Sequence, residues 1–369
     1  MRVAFRCDAS LSMGSGHVMR CLTLANALKV HGADSYFICR GHPGNLSNSI
    51  RLAGFSVVVL PAPEEILAGS METRLADEYA SWLGCPWEVD AQQTAEALVQ
   101  IRPDWLVIDH YAIGYQWQDA LRSYCAKLFV IDDLANRAHR CDLLLDQTLG
   151  RSRLEYGDLV PVASVVLAGA QYALLRPEFA LLRSYSVQRR RLVSLPKKIL
   201  ITLGGMDKDN ATEVVLEALE RCKLPVDCRV VVVMGEKSPW LAQVTRRAKH
   251  MPWATQVLVN VRNMAQHMAD SDFAIGAAGS TSWERCCLGV PSLMTVLAGN
   301  QLPSAIALEK AGAAILLGCA TDIAISLPDA MGLMLQEEGR LQQMSVAAAG
   351  VTDGLGVERV IGRMGELSA

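Results

Sequence analysis

The sequence predicts an α/β protein of two doubly wound parallel-sheet domains that face each other across a cleft. Three observations carry that expectation. The chain has 369 residues, more than one hydrophobic core usually serves. Short β-rich runs alternate with longer helical patterns throughout, as in parallel sheets covered by helices on both faces. Midway, "SYSVQRRRLVSLPKK" is polar, cationic and without strong periodicity, so it reads as a junction at 185–197 between a first domain, 1–184, and a second, 198–369.

In the first half the strand candidates are "RVAFRC", "SYFIC", "SVVVL", "WLVID", "KLFVI" and "LLLD". After the first comes a loop, "ASLSMGSG", and then "HVMRCLTLANALKVHG", whose apolar residues recur at helical spacing until Gly32. Gly14 and Gly16 therefore fall between a strand and a helix, where a backbone without Cβ approaches a ligand closely and free N–H groups favour an anion. His17 falls in the first helical turn, whose positive end disfavours a charged imidazole, so it is a candidate general base; the alternative is a simple cap. Arg20, one turn on, is structural or a distant charge partner. Asp109, His110 and Tyr111 close "WLVIDHY" at the carboxyl end of a strand, a position that lines ligand sites in such sheets. "HRC" at 139–141 lacks a second pair at ligand spacing, and no carboxylate and histidine cluster stands out, so no metal is expected. No cofactor is expected either.

The run Arg189, Arg190, Arg191 suggests a phosphate clamp, but in a linker it reads better as a solvated surface. In the second half the strand candidates are "KILITL", "RVVVVM", "QVLV", "DFAIG", "SLMTV" and "AILLG". The first of these ends in Gly204, Gly205, Met206 and Asp207, a second glycine turn ahead of a helix; the competing reading is a tight turn capped by Asp207 or Asn210. "DFAIGAAGSTSWERCCLGVPSLMTVLAGNQ" is the richest stretch. Its small residues, Gly279 and the hydroxyls of Ser280, Thr281 and Ser282 form a candidate diphosphate cradle. Glu284, one turn inside the following helix, is placed to accept both hydroxyls of a ribose, and Asn300 and Gln301 follow the next strand. Thr281 and Glu284 also have the spacing of a capping box.

Composition narrows the partner. With 51% apolar residues and a net charge of −3, no broad basic surface invites nucleic acid or an anionic membrane. The opening "MRVAFRCD" is not a secretory signal, and no run reaches the roughly 20 apolar residues of a membrane span. The expectation is a cytoplasmic monomer that binds a small molecule. Eleven cysteines without a CxxC pair read as reduced core residues.

Taken together, "FRCDASLSMGSGHVMRCLTLA", "LVIDHY", "VIDDLANRAHRCDLLLDQT", "YALLRPEF", "ITLGGMDKDNAT" and "GAAGSTSWERCCLGVPS" resemble the UDP-sugar hydrolases of the pseudaminic acid pathway over nearly the whole chain. Those enzymes act on UDP-2,4-diacetamido-2,4,6-trideoxy-β-L-altropyranose. They have the GT-B glycosyltransferase fold of paired Rossmann-like domains, are similar to the lipid II N-acetylglucosaminyltransferase, and transfer the sugar to water. The resemblance implies His17 as catalytic base, with Tyr111 and Asn300 near the sugar or the attacking water. It also implies Glu284 on the uridine ribose, Ser280 and Thr281 at the diphosphate, and a backbone group near Met264 at the uracil edge.

Three rivals stand beside this reading. A glycosyltransferase of the same fold would pass the sugar to an acceptor, and UDP release without acceptor separates the two. A UDP-sugar 2-epimerase would release a different sugar. A non-catalytic nucleotide-sugar binding protein of surface polysaccharide assembly, of the kind found in spore-coat synthesis, would bind UDP without turnover.

Overall fold

The structure, a computed structural model, describes residues 1–62, 79–193 and 195–368. The chain divides into two compact units: Met1–Leu174 with Val357–Ala369, and Leu175–Gly356.

Unit 1 holds seven parallel strands, β1 (Arg2–Cys7), β2 (Asp34–Arg40), β3 (Ser56–Leu60), β4 (Trp105–Asp109), β5 (Lys127–Ile131), β6 (Leu143–Asp146) and β7 (Val165–Ala168), in the order β3-β2-β1-β4-β5-β6-β7. In β1, β4, β5 and β6 the near-continuous apolar runs follow from burial on both faces. On one face Val3, Phe5, Phe37, Val107 and Phe129 pack with Val18, Leu24 and Leu28 of the helix Gly16–Val30. On the other, Ala4, Ile38, Leu106 and Val130 meet Leu98 and Ile101 of the helix Trp87–Ile101 and Trp117 of Tyr115–Leu121. The last helix, Gly356–Ser368, belongs here too. Its Val357, Val360 and Met364 enter the first face, and Trp105 Nε1 donates to Ser368 Oγ at 2.8 Å.

Unit 2 holds six parallel strands, β8 (Lys198–Thr202), β9 (Arg229–Met234), β10 (Ala254–Val259), β11 (Phe273–Ala277), β12 (Ser292–Val296) and β13 (Ala314–Cys319), in the order β10-β9-β8-β11-β12-β13. Ile199, Ile201, Val230, Val232, Phe273 and Leu293 bury one face against Val215 and Leu219 of the helix Ala211–Leu219 and Leu327 and Met331 of Ile323–Gln336. Strand order reverses between β1 and β4 in unit 1 and between β8 and β11 in unit 2. In open α/β sheets such reversals splay neighbouring loops apart at the carboxyl ends and leave room for a ligand.

The fold class is as expected, with two differences of detail. One is β7, absent from the expected strands because four residues inside "VASVVLAGA" are too few for a periodic signal. The other is the junction. Residues up to Arg190 form the helix Pro177–Arg190, and unit 2 begins at Leu175. Nor are the first two arginines of the run solvated. Arg190 is buried and donates to the carbonyls of Met268 at 2.6 Å, Ser271 at 2.6 Å and Leu288 at 2.8 Å, while burial lowers its pKa to about 9. Arg189 pairs with Asp272. Two turns earlier, Arg183 donates to the carbonyls of Cys287 at 2.6 Å and Ala349 at 2.6 Å. A helix whose cations bind the carboxyl ends of other helices must belong to their body, which is why the unit boundary precedes it.

Arg190→Met leaves several buried carbonyls without a donor and is expected to cost about 3 kcal/mol in denaturant unfolding. Arg191→Ala, at an exposed position, should change the midpoint by less than about 0.5 kcal/mol.

Candidate active site

In unit 1 the loops after β1 and β4 meet at the strand reversal, where Cys7 lies opposite Asp109. Ser10 shapes the first loop. Its hydroxyl accepts the N–H of Met13 at 3.0 Å, and its carbonyl accepts the N–H of Gly14 at 2.9 Å. Gly14 has φ +75°, which disfavours any residue with a Cβ. The helix then starts at Gly16, with no side-chain cap. His17 is therefore not a cap. Its ring turns inward, with Nδ1 2.6 Å from Asp109 Oδ1.

Asp109 also binds Arg20 through both oxygens, at 2.6 Å to Nε and 2.7 Å to Nη2. Burial favours the neutral carboxyl, but Arg20 and His17 outweigh it and hold Asp109 well below the usual carboxylate range. An ionised carboxylate only accepts, so His17 Nδ1 is the donor of the pair, and in the neutral imidazole Nε2 is the acceptor. The Asp109 carboxylate thus fixes the orientation of the His17 ring. Arg20 is thereby accounted for. It clamps Asp109 and reaches Asp133 Oδ2 at 2.5 Å, and the hydroxyl of Tyr111 donates to that same oxygen at 3.0 Å.

The Tyr111 ring meets the edge of His17 with centroids 4.7 Å apart and lies 5.9 Å from Trp82, nearly parallel to it. His17 and Tyr111 thus come together. Asp133 and Trp82 were not foreseen. The first was hidden in "VIDD", where either aspartate is eligible, and the second carries no local signature. His110 is otherwise engaged, accepting the N–H of Ala112 at 3.1 Å with Nε2 3.4 Å from Asp8. His139 pairs with Gln118 at 3.0 Å. Among the described residues no three His, Cys, Asp or Glu side chains gather as a metal set.

In unit 2 the loops after β8, β11 and β12 follow adjacent strands. Gly204 has φ +93°, and nothing lies within 4 Å of where a Cβ of Gly204 or Gly205 would stand, so both border open space. Gly205 also accepts the N–H of Gly235 at 3.0 Å. Asp207 is the cap in this loop, taking the N–H groups of Ala211 and Thr212 at 2.9 Å and 3.0 Å; Asn210 is not. After β11 the helix Thr281–Cys287 has no capping box, because Ser280 makes no side-chain cap bond and Thr281 Oγ1 faces Arg285 instead, at 3.2 Å. Gln301 lies beside Gly279, its Nε2 3.7 Å from the place of a Cβ there, and its Oε1 accepts the N–H of Leu297 at 2.9 Å. Asn300 is half-buried in the same turn.

Glu284 lies 3.8 Å from Arg176, the arginine of "YALLRPEF". Burial outweighs that cation and raises the Glu284 carboxyl to about 7. Met264 opens the helix Met264–Ala269 after β10, at the far edge of the sheet, and no described contact joins it to Gly279 or Glu284.

No family model matches the chain. An uncharacterized protein of Methanocaldococcus jannaschii is 26% identical over 308 residues, covering 82% of this chain and 56% of its own. The UDP-2,4-diacetamido-2,4,6-trideoxy-β-L-altropyranose hydrolase of Campylobacter jejuni is 24% identical over 315 residues, covering 85% and 97%. A spore coat polysaccharide biosynthesis protein of Bacillus subtilis, SpsG, is 28% identical over 195 residues, covering 52% of each chain. The chain thus spans about half the length of two of these curated relatives. Among solved structures, MurG of Acinetobacter baumannii superposes with a TM-score of 0.70 at 16% identity, covering 99% of both chains. That likeness shows the fold, two Rossmann-like units of the GT-B type.

The raised Glu284 carboxyl has a stability consequence. Its pKa is about 7 in the folded protein against about 4.5 unfolded, so its contribution is intact below about pH 4.5 and is lost as pH rises through 7. Glu284→Gln should abolish up to about 3 kcal/mol of that loss, read as a smaller drop in unfolding free energy between pH 5 and pH 8 for the ligand-free variant.

Proposed function

We propose that the protein hydrolyses UDP-2,4-diacetamido-2,4,6-trideoxy-β-L-altropyranose to UDP and the free sugar. The observation that carries the reading is the His17–Asp109 hydrogen bond of 2.6 Å, which leaves Nε2 as a positioned proton acceptor. Support also comes from the likeness to the Campylobacter hydrolase over most of both chains.

In this reading unit 2 holds the nucleotide. Glu284 accepts the ribose hydroxyls, Ser280, Thr281 and the backbone from Gly279 hold the diphosphate, Gly204, Gly205 and Gln301 border it, and the backbone at Met264 meets the uracil. Unit 1 does the chemistry on the sugar. Gly14 and Gly16 keep the approach open, while Tyr111 orients the sugar or the water. A water oxygen bonds to the anomeric carbon as His17 Nε2 takes its proton, and the bond from that carbon to the UDP oxygen breaks. UDP departs with the electron pair and the anomeric centre inverts. UDP is a stable leaving group, so the base on the water is the more demanding need.

The second reading is a glycosyltransferase, in which the same base draws a proton from an acceptor hydroxyl; the GT-B likeness favours it. Acceptor-free incubation decides between them. Stoichiometric UDP and free sugar by proton NMR support hydrolysis, whereas UDP release only after an acceptor is added overturns it.

His17→Ala should nearly abolish turnover while UDP affinity stays within about threefold, since a positioned base contributes roughly 10²–10⁴-fold. Asp109→Asn should lower kcat by about 10³-fold, because an amide can donate to Nδ1 and place the imidazole proton on the wrong nitrogen. A normal rate in either variant would sink the assignment of the base.

A further inference from the structure

Arg285 is 1% exposed, and among the described residues no carboxylate lies within ion-pair distance of it. Its donors go to four neutral oxygens. Nε binds Ser292 Oγ at 3.1 Å, Nη2 binds the Ala277 carbonyl at 2.8 Å and Ser282 Oγ at 3.1 Å, and Nη1 binds Thr281 Oγ1 at 3.2 Å.

The other deeply buried arginines are compensated. Arg6 and Arg40 pair with Asp90, Arg20 pairs with Asp109, and Arg190 binds carbonyls at the negative end of the helix Met264–Ala269. Arg285 instead reaches back toward the first turn of its own helix, where the dipole is positive and opposes it. The fold makes room for this cation at some cost. A Cβ on Gly276 would stand 2.7 Å from Arg285 Nη1 and 2.9 Å from the Thr202 carbonyl, so β11 carries glycine where the guanidinium passes. A buried charge without a counter-charge in contact is expensive, and Glu284, its neighbour in sequence, is within ion-pair distance of Arg176 and eases the Arg285 charge only from further off.

We propose that Arg285 is a positioning residue whose missing counter-charge is the diphosphate of a nucleotide bound at Gly279–Ser282. This rests on the reading that unit 2 holds UDP. The cation acts through the hydroxyl it touches. By occupying a lone pair of Thr281 Oγ1 it leaves that hydroxyl's hydrogen to donate to a phosphate oxygen, and its field reaches the ligand through a water-poor interior. Burial lowers the Arg285 pKa to about 10, in keeping with a cation that lacks its partner.

The test is calorimetric binding of UDP and of uridine to the full-length protein, beside thermal melting. Arg285→Met should lose UDP affinity by about 30-fold and uridine affinity by less than about threefold. Arg285→Lys, which keeps the charge, should hold the UDP-to-uridine ratio within about threefold of the parent. A merely structural arginine would weaken both ligands together, so an equal loss of both, or an unchanged UDP affinity in folded Arg285→Met, overturns the inference. If Arg285→Met does not melt cooperatively, Thr281→Val carries the comparison. A loss of UDP affinity of about tenfold with uridine unchanged supports the relay, and unchanged UDP binding overturns it. A parent protein that binds uridine as tightly as UDP also overturns it. One that binds neither overturns the nucleotide reading itself.

Discussion

Asp109 ends β4 in the middle of the first sheet, and the placement of the unit 1 site follows from what its carboxylate must satisfy. Buried at the strand reversal, it is kept ionised by Arg20 and His17, with Cys21 Sγ a further 3.6 Å contact. Those three residues stand at i, i+3 and i+4 on one helix, so they share a face, and the carboxylate fixes how that helix lies on β4. Arg20 extends the network to Asp133 and so to the Tyr111 hydroxyl. The ionic arrangement that docks the first helix is also the one that aims the imidazole. Removing one member of such a network leaves the others buried and unpaired, so stability and the aim of the imidazole are coupled at this point.

Unit 2 solves its own problem with different materials. Its loops are built from glycine, hydroxyls and backbone, and its arginines serve mainly to quiet helix ends. Arg183 and Arg190 gather carbonyls from the ends of several helices, which ties the helix Pro177–Arg190 to the body of the unit. Close backbone approach does the rest. A Cβ on Gly235 would stand 2.3 Å from the Gly205 carbonyl, so the loops after β8 and β9 are held together by the absence of a side chain.

How much of this could be read in the sequence depends on how local each cause is. Strands such as "KLFVI" and "RVVVVM" are legible because burial on both faces demands an uninterrupted apolar run. The glycine turns after β1, β8 and β11 are legible because φ and close approach are backbone properties. The polar interior is not. Arg6, inside "RVAFRC", pairs with nearby Asp8 but also with Asp90, 84 positions away, and nothing local foretells the second partner. The same holds for Asp133 and Arg20, 113 positions apart. His17 could be singled out from its loop as a candidate, but the group that orients its ring is 92 positions on. At the junction an arginine run suggested solvent, whereas carbonyls from distant helix ends had claimed it.

The helix Gly356–Ser368 gives unit 1 an unusual dependency. Val357, Val360 and Met364 complete a core whose other members lie before position 175, so the first unit is written in two pieces with the whole of the second between them. During synthesis, the sheet bearing His17 and Asp109 must therefore keep apolar surface uncovered while 182 residues of another unit, Leu175–Gly356, are made. A lesion or a fusion near Ser368 would be felt beneath Trp105 on β4. Damage to the helix Gly356–Ser368 would then show up first as a fault in the unit that carries His17 and Asp109.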